Sequence, residues 1–242
     1  MNHEIRVSQA ILVSQAILAS QATRINGVVE MFESTIEKIG KCAVVPVIAL
    51  DRVEDAIPLA DALVAGGLPL AEVTFRTSAA EASIRAMSKR SDILVGAGTV
   101  LNPDTAKRAV DAGAKFIVAP GFNPKTVKYC VDNNIPITPG CITPSDIEAA
   151  LDHGLSVVKF FPAEAFGGLK TIKALAAPYS MMRFIPTGGI TDKSLADYLA
   201  FKPILAVGGS WFVAKELLSA GKWDEVTRLT KQAVEIARAA GR

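Results

Sequence analysis

Eight apolar runs that alternate with helical patterns constrain the fold of this chain more than any other feature. The runs are typical of buried strands, and they cover about residues 42–49, 70–75, 93–98, 115–119, 135–139, 156–161, 183–187 and 204–208. Helical patterns lie between them, for example Asp51 to Ala65, Ser78 to Lys89, Pro103 to Ala112 and Ser145 to His153. Eight strands alternating with helices predict an α/β fold, a single (β/α)8 TIM barrel.

A doubly wound open sheet is the alternative to the barrel. That fold usually carries a glycine-rich nucleotide loop after its first strand. Here the first apolar run, Val44 to Leu50, leads directly into Asp51. The barrel is therefore favoured, with a short N-terminal helix predicted at about 28–39.

The first 27 residues differ from the rest because Ser-Gln-Ala recurs at 8–10, 14–16 and 20–22. The apolar residues of this segment share a narrow face on a helix, so a weakly amphipathic helix is one interpretation. A transit-like segment or a simple tail are the others. We expect an N-terminal extension of unknown role at 1–27 and a barrel domain at 28–242.

Composition limits the classes of function. The chain has 242 residues, 26 basic and 24 acidic, for a net charge of +2, so no electrostatic footprint for nucleic acid or an acidic membrane is present. Its three cysteines lack the spacing of a zinc cage or a disulfide framework, which favours a reducing, cytoplasmic location. We expect no metal and no cofactor.

A single lysine interrupts the sixth apolar run, Ser156 to Phe161, which Pro162 ends. Lys159 would be buried there, and a buried lysine is rare unless it is paired or used. Desolvation disfavours an ammonium ion, so such a lysine can act as an amine nucleophile. A lysine that reaches solvent or forms a structural ion pair is the alternative.

The second run places charged residues on one face. Period-2 alternation puts Glu72, Thr74 and Arg76 together, opposite the apolar set Ala71, Val73 and Phe75. The apolar face must meet the helices, so the polar face points into the barrel. Strands 2 and 6 are both even-numbered, so their inward residues belong to the same layers and Glu72 can approach Lys159.

Two Gly-Gly pairs follow the seventh and eighth runs, at the place where TIM barrels often bind phosphate. Gly188-Gly189 and Gly208-Gly209-Ser210 allow backbone N–H groups to approach an oxyanion. Thr99 adds a hydroxyl at the end of the third run.

Five motifs in order along residues 30–240 resemble the 2-keto-3-deoxy-6-phosphogluconate (KDPG) aldolase family, which includes 4-hydroxy-2-oxoglutarate (KHG) aldolase activity. The motifs are Glu72 to Thr77, Gly96 to Val100, Lys159 to Glu164, Pro186 to Gly189, and Gly208 to Trp211. The resemblance implies a metal-free class I aldolase of the Entner–Doudoroff pathway that converts the phosphorylated substrate to pyruvate and glyceraldehyde 3-phosphate. It also implies a homotrimer.

The resemblance assigns roles by position. Lys159 is the Schiff-base lysine and Glu72 the general acid/base. Arg76, Thr99 and Phe161 serve the pyruvate moiety. The phosphate site falls on Gly188, Gly189, Gly208, Gly209 and Ser210. Arg76-Thr77 replaces the Asn-Ser of the galactonate-phosphate relatives, which argues against that branch.

Two rival functions stay open on the sequence. Another phosphate-binding barrel enzyme would use the Gly-Gly corner without imine chemistry and would need no inward lysine. A non-catalytic oligomeric scaffold would need neither Glu72 nor Lys159.

Overall fold

The structure is a computed structural model that describes residues 34–242. The strands are β1 Val44–Ile48, β2 Leu70–Thr74, β3 Leu94–Gly98, β4 Ile117–Val118, β5 Ile137–Thr138, β6 Val157–Phe160, β7 Arg183–Pro186 and β8 Val207–Gly209. The helices are α1 at residues 34–42, α2 Ala56–Ala65, α3 Ala80–Met87, α4 Pro103–Asp111, α5 Pro124–Asp132, α6 Pro144–Asp152, α7 Gly168–Ala176, α8 Asp192–Leu199, α9 Lys215–Ser219 and α10 Trp223–Ala239. Each predicted strand overlaps one of the eight.

Several helices begin where local sequence signals place them. Asn102 precedes α4 and its side chain accepts a hydrogen bond from Thr105 N at 2.8 Å. Thr143 and Asp146 form a reciprocal capping box at the start of α6. These caps satisfy N–H groups that a helix start otherwise leaves free, and they fix the point at which the chain leaves each preceding strand.

All strand pairs are parallel. Six strands form one sheet in the order β5-β4-β3-β2-β1-β8, and β6 pairs with β7 in a second sheet. Isolated bridges join Gly140 to Lys159 and Thr187 to Gly208, which connects the edges of the two sheets. The fold is α/β, with a curved parallel sheet around an apolar interior and helices outside it.

The ends of some elements differ from the predictions. The N-terminal helix was predicted at 28–39, but it continues through residue 42, so Cys42 lies in a helix rather than in the first strand. The chain turns at Ala43, whose φ of 58° cannot continue a right-handed helix. Residues 28–33 and the extension at 1–27 lie outside the described residues.

Between residues 34 and 242, no helix has the length and apolar character needed to cross a membrane.

Candidate functional site

Lys159 is held in place by its own main chain. It lies in β6, its N–H donates to Pro139 O at 2.9 Å and its carbonyl accepts from Cys141 N at 2.8 Å. Only 6% of the residue is exposed, as the apolar character of the strand predicts. The side chain therefore extends from a fixed backbone into a largely dry interior.

Glu72 lies across the interior from Lys159. It is in β2, paired in register with Val47 of β1 and Gly96 of β3, and it is 2% exposed. Its Oε1 lies 3.6 Å from Lys159 Nζ. That distance is too long for a charge-assisted hydrogen bond, and within the described chain Oε1 has no hydrogen-bond partner. An unpartnered buried carboxylate oxygen is a free acceptor facing the lysine.

Burial sets the protonation of Glu72. Desolvation raises the pKa of this carboxyl above its ordinary value, and the charges of Lys159 and then Arg76 oppose that rise. The neutral form of Glu72 is thus favoured to a higher pH than in an exposed glutamate. A buried carboxyl with a raised pKa is a candidate general acid/base.

Arg76 lies just beyond the end of β2 and is exposed. Its Nε donates to Thr74 Oγ1 at 2.9 Å, and Thr74 Oγ1 donates to Ile48 O at 2.6 Å. The buried Thr74 thereby anchors the guanidinium to β1. Arg76 was predicted to share the inward face of β2 with Glu72 and Thr74 near the barrel mouth; it bonds to Thr74 and is exposed, two residues beyond the end of the strand.

Thr99 follows β3 in an unusual conformation. Its φ is 57°, in the left-handed region that a β-branched residue rarely adopts. Such strain persists only where the surroundings enforce it, and it is concentrated at functional sites. The half-buried hydroxyl thus stands at the same end of the sheet as Arg76.

Phe161 follows β6 on the same face as Lys159. Lys159 Nζ lies 5.1 Å from the centre of the Phe161 ring, within the range of a cation–π contact. The aromatic ring covers one side of the amine, as the shared face of Lys159 and Phe161 predicts.

A small cavity lies beneath the lysine and the carboxylate. Its lining includes Thr138 of β5, Thr187 after β7 and the ring of Phe116. Both threonines are buried. The prediction missed these two hydroxyls, although each follows or ends a strand on the side where the other site residues lie.

The two Gly-Gly pairs meet because Thr187 bridges to Gly208. Gly188 and Gly189 have φ values of 104° and 81°, which only glycine adopts without strain, and α8 begins three residues after Gly189. A side chain on Gly208 would overlap Thr187 Oγ1, so Gly208 is required by close packing.

Gly209 and Ser210 complete this corner. A side chain on Gly209 would overlap the ring of Trp211. Ser210 is exposed and precedes a short 3-10 helix, Trp211–Val213. The corner combines glycine backbone, an exposed hydroxyl and the start of α8, which is the chemistry that binds an oxyanion.

The described residues contain no group of three or more His, Cys, Asp or Glu side chains placed to hold a metal ion. The expectation of metal-free, cofactor-free chemistry stays a prediction.

The model of one protein family, described as KDPG and KHG aldolase, matches residues 35–229. The 2-dehydro-3-deoxy-phosphogluconate aldolase of Haemophilus influenzae is 51% identical over 205 residues, which are 84% of this chain and 97% of that protein.

Two solved structures of such aldolases are similar over most of the fold. The enzyme of Legionella pneumophila, with pyruvate captured as a covalent carbinolamine, is 36% identical with a TM-score of 0.80, and the match covers 82% of this chain and 97% of that one. The Zymomonas mobilis enzyme with 3-phosphoglycerate is 41% identical with a TM-score of 0.79, covering 86% and 97%.

Proposed function

Because the chain belongs to the KDPG and KHG aldolase family, we propose that it cleaves KDPG to pyruvate and glyceraldehyde 3-phosphate through an imine on Lys159. The resemblance predicted from the five motifs is confirmed, and the chain is a lyase of the aldolase type. The observation that carries the proposed mechanism is the buried pair of Lys159 and Glu72, 3.6 Å apart.

The proposed cycle begins at Lys159. Its neutral amine attacks the C2 ketone of the substrate, and loss of water from the carbinolamine gives a protonated imine. The C3–C4 bond then breaks, its electrons move toward the imine nitrogen, and an enamine of pyruvate and a free aldehyde result. Protonation of the enamine at C3 and hydrolysis release pyruvate and restore the lysine.

Glu72 moves the protons of this cycle. Its unpartnered Oε1 accepts the C4 hydroxyl proton as the C3–C4 bond breaks, and the same carboxyl gives a proton to the departing carbinolamine hydroxyl. A raised pKa makes the carboxyl easier to protonate than an exposed glutamate, and the proton-donating step requires that form. Thr138 and Thr187 line the space next to it and supply hydroxyls to this region.

The two ends of the substrate need two anchors. Arg76 and Thr99 at the rim offer a guanidinium and a hydroxyl for the keto-acid carboxylate, and Phe161 packs beside the pyruvate carbons. The residues that hold the phosphate are Gly188, Gly189, Gly208, Gly209 and Ser210. Support comes from the relatives: the Legionella enzyme captured pyruvate as a carbinolamine, and the Zymomonas enzyme was crystallised with 3-phosphoglycerate.

A closed barrel underlies this arrangement. We propose that the eight strands close into a (β/α)8 TIM barrel within a domain at 28–242. The bridges from Gly140 to Lys159 and from Thr187 to Gly208 support closure at both edges of the β6–β7 pair. We further propose a homotrimer acting in the cytoplasm, with residues 1–27 as an added extension.

The rival functions explain less. A phosphate-binding barrel enzyme without an imine has no use for a buried lysine facing a carboxylate, and a scaffold gains nothing from that pair, since removing two ions from water is unfavourable unless they are used or well paired.

Trapping the imine tests the proposal. Incubation with pyruvate, reduction with borohydride and mapping of the digest should place the added mass on Lys159. Lys173 also lies beside an aromatic ring, 5.7 Å from the centre of Phe201, and serves as an internal control. A label on Lys173, or no label on any lysine, would exclude the mechanism.

Substitutions extend the test. Lys159→Arg should abolish labelling and turnover, because arginine stays protonated and supplies no neutral amine. Glu72→Gln should still form the imine slowly, while turnover falls about 10²-fold or more, the usual scale for loss of a general acid/base. Unchanged proton exchange of pyruvate in Glu72→Gln would remove Glu72 from this role.

A further inference from the structure

The position of the Glu72 carboxylate depends on a residue with no side chain. β2 and β3 pair in register, with Glu72 opposite Gly96 and Thr74 opposite Gly98. A methyl group placed on Gly98 would overlap Glu72 Oε1 and would lie 2.8 Å from its Cγ and 2.9 Å from its Cδ. The space next to Gly98 is therefore the space that the carboxyl group occupies.

Gly96 lies on the same face of β3 as Gly98, but the space beside it is not occupied by Glu72. A methyl group on Gly96 would collide with the ring of Phe116, so that glycine serves apolar packing. Outside the adjacent residues, the three atoms nearest to a methyl group on Gly98 all belong to Glu72. The φ of Gly98 is not in the left-handed region, so an alanine there tests space and not backbone strain.

We propose that Gly98 is a positioning residue for the aldol cleavage: its missing side chain keeps the Glu72 carboxylate directed at Lys159. This inference rests on the proposed role of Glu72. Since Oε1 has no hydrogen-bond partner in the described chain, its position 3.6 Å from the amine depends on packing and on the charge of Lys159. An added methyl group forces the carboxyl to rotate away from the lysine.

Gly98→Ala should lower kcat by roughly tenfold to a hundredfold, the scale of a displacement near 1 Å at a reacting group. The KM should change little, because outside the adjacent residues the nearest atoms to the added methyl group belong to Glu72 and not to Arg76 or the glycine corner. Labelling of Lys159 by pyruvate and borohydride should persist. Gly121→Ala is the matched control, because nothing lies within 4 Å of a methyl group there, and it should keep wild-type turnover.

A double-mutant cycle separates positioning from a general structural role. In the Glu72→Gln background the carboxylate is already absent, so adding Gly98→Ala should reduce kcat less than about twofold further. In the Glu72→Asp background the shorter side chain leaves room for the methyl group, so Gly98→Ala should again have little effect.

The outcomes are distinguishable. A wild type that neither cleaves substrate nor traps pyruvate overturns the proposed function itself. Cleavage by the wild type with equal kcat in Gly98→Ala, or an equally large loss in the Glu72→Gln background, overturns only the positioning role. If Gly98→Ala does not fold, the double variant Glu72→Asp/Gly98→Ala must fold, because the shorter side chain leaves room for the methyl group. A double variant that also fails to fold overturns the proposal.

Discussion

Glu72 is a carboxyl group in an interior that disfavours its charge. Burial raises its pKa, and the two cations that oppose this rise do not cancel it. Over the range between the unfolded and the folded pKa, the folded protein holds a proton that the unfolded chain has released. The free energy of unfolding therefore falls as pH rises through that range, which is a direct consequence of linkage.

Glu72→Gln should remove this pH-dependent loss of stability, because a glutamine side chain does not titrate. The contribution of protonated Glu72 is fully present below the unfolded pKa of about 4.3 and is lost as pH passes the folded value. The unfolding free energy of Glu72→Gln relative to wild type should hence increase from about pH 4 upward and then level off. Urea denaturation at a series of pH values measures the difference.

Glu37 provides the control with the opposite sign. Lys41 lowers the pKa of this exposed carboxyl through a hydrogen bond and its charge. Glu37→Gln should therefore lose stability relative to wild type as pH rises from acid to neutral. A difference for Glu72→Gln that does not vary with pH would contradict the buried-carboxyl account.

Residue positions were predictable from the sequence only where a strand fixes them. Period-2 alternation places Glu72 and Lys159 correctly on inward faces because both lie inside strands. Arg76 follows the end of β2, where alternation no longer fixes the direction of a side chain. The space beside Gly98 was not predictable, since a glycine in a strand is compatible with many kinds of neighbour.

At the scale of the secondary-structure elements, a buried tyrosine in α8 forms a hydrogen bond to the loop after β6. Tyr198 in α8 is 2% exposed, and its hydroxyl donates to Glu164 Oε1 at 2.5 Å. Glu164 N donates to Gly188 O at 3.1 Å. The Glu164 side chain also packs against Gly189, since a Cβ atom on that glycine would lie only 2.7 Å from Glu164 Cβ and Cγ. The loop after the strand of Lys159 is thus linked to the proposed phosphate corner.

Tyr198→Phe should loosen this link without removing the ring. Burial and the Glu164 carboxylate raise the pKa of Tyr198, so the phenol stays a donor in the wild type. In the variant, Glu164 is free to turn toward the corner and repel a phosphate. The KM for KDPG should rise roughly tenfold, while kcat for unphosphorylated KHG should stay near wild type.

Tyr179→Phe is the matched control. It removes a hydroxyl that bonds to Glu148 at 2.8 Å on an exposed surface away from the glycine corner. It should leave both substrates unaffected. Equal effects of Tyr198→Phe on KDPG and KHG would mean that the tyrosine supports the fold and not the phosphate corner.

Elements were predicted well where their signals are local. The starts of α4 and α6 follow from Asn102 and Thr143, whose capping partners lie three residues away. β4 and β5 have only two residues each, because a strand's length depends on its partners across the sheet. The bond from Tyr198 to Glu164 spans 34 residues of sequence and left no local pattern.

At the scale of the whole molecule, the proposed function requires that the substrate be recognised at two separate places. The proposed carboxylate anchor Arg76 lies after β2, and the glycine corner lies after β7 and at the end of β8. Separate strands supply these loops, so a preference for a substrate with an acid group at each end is a property of the assembled fold. The order of motifs predicts this arrangement, since parallel strands bring their ends to one side.

Substrate choice tests that arrangement. A charged hydrogen bond contributes about 1.5–3 kcal/mol, so two or three at the corner should favour KDPG over KHG by roughly 10²-fold or more in kcat/KM. Ser210→Ala removes one donor and should lower kcat/KM for KDPG about tenfold while leaving KHG cleavage nearly unchanged.

Ser180→Ala, an exposed serine before β7 at the opposite end of that strand, is the control and should alter neither value. The comparison requires kcat/KM for both substrates in all three proteins. The preference requires a phosphate that reaches the corner while the carboxylate is held near Arg76. Equal use of KDPG and KHG by the wild type would therefore mean that the Gly-Gly pairs serve only as turns. The enzyme would then be a KHG aldolase, with Lys159 and Glu72 unchanged in their roles.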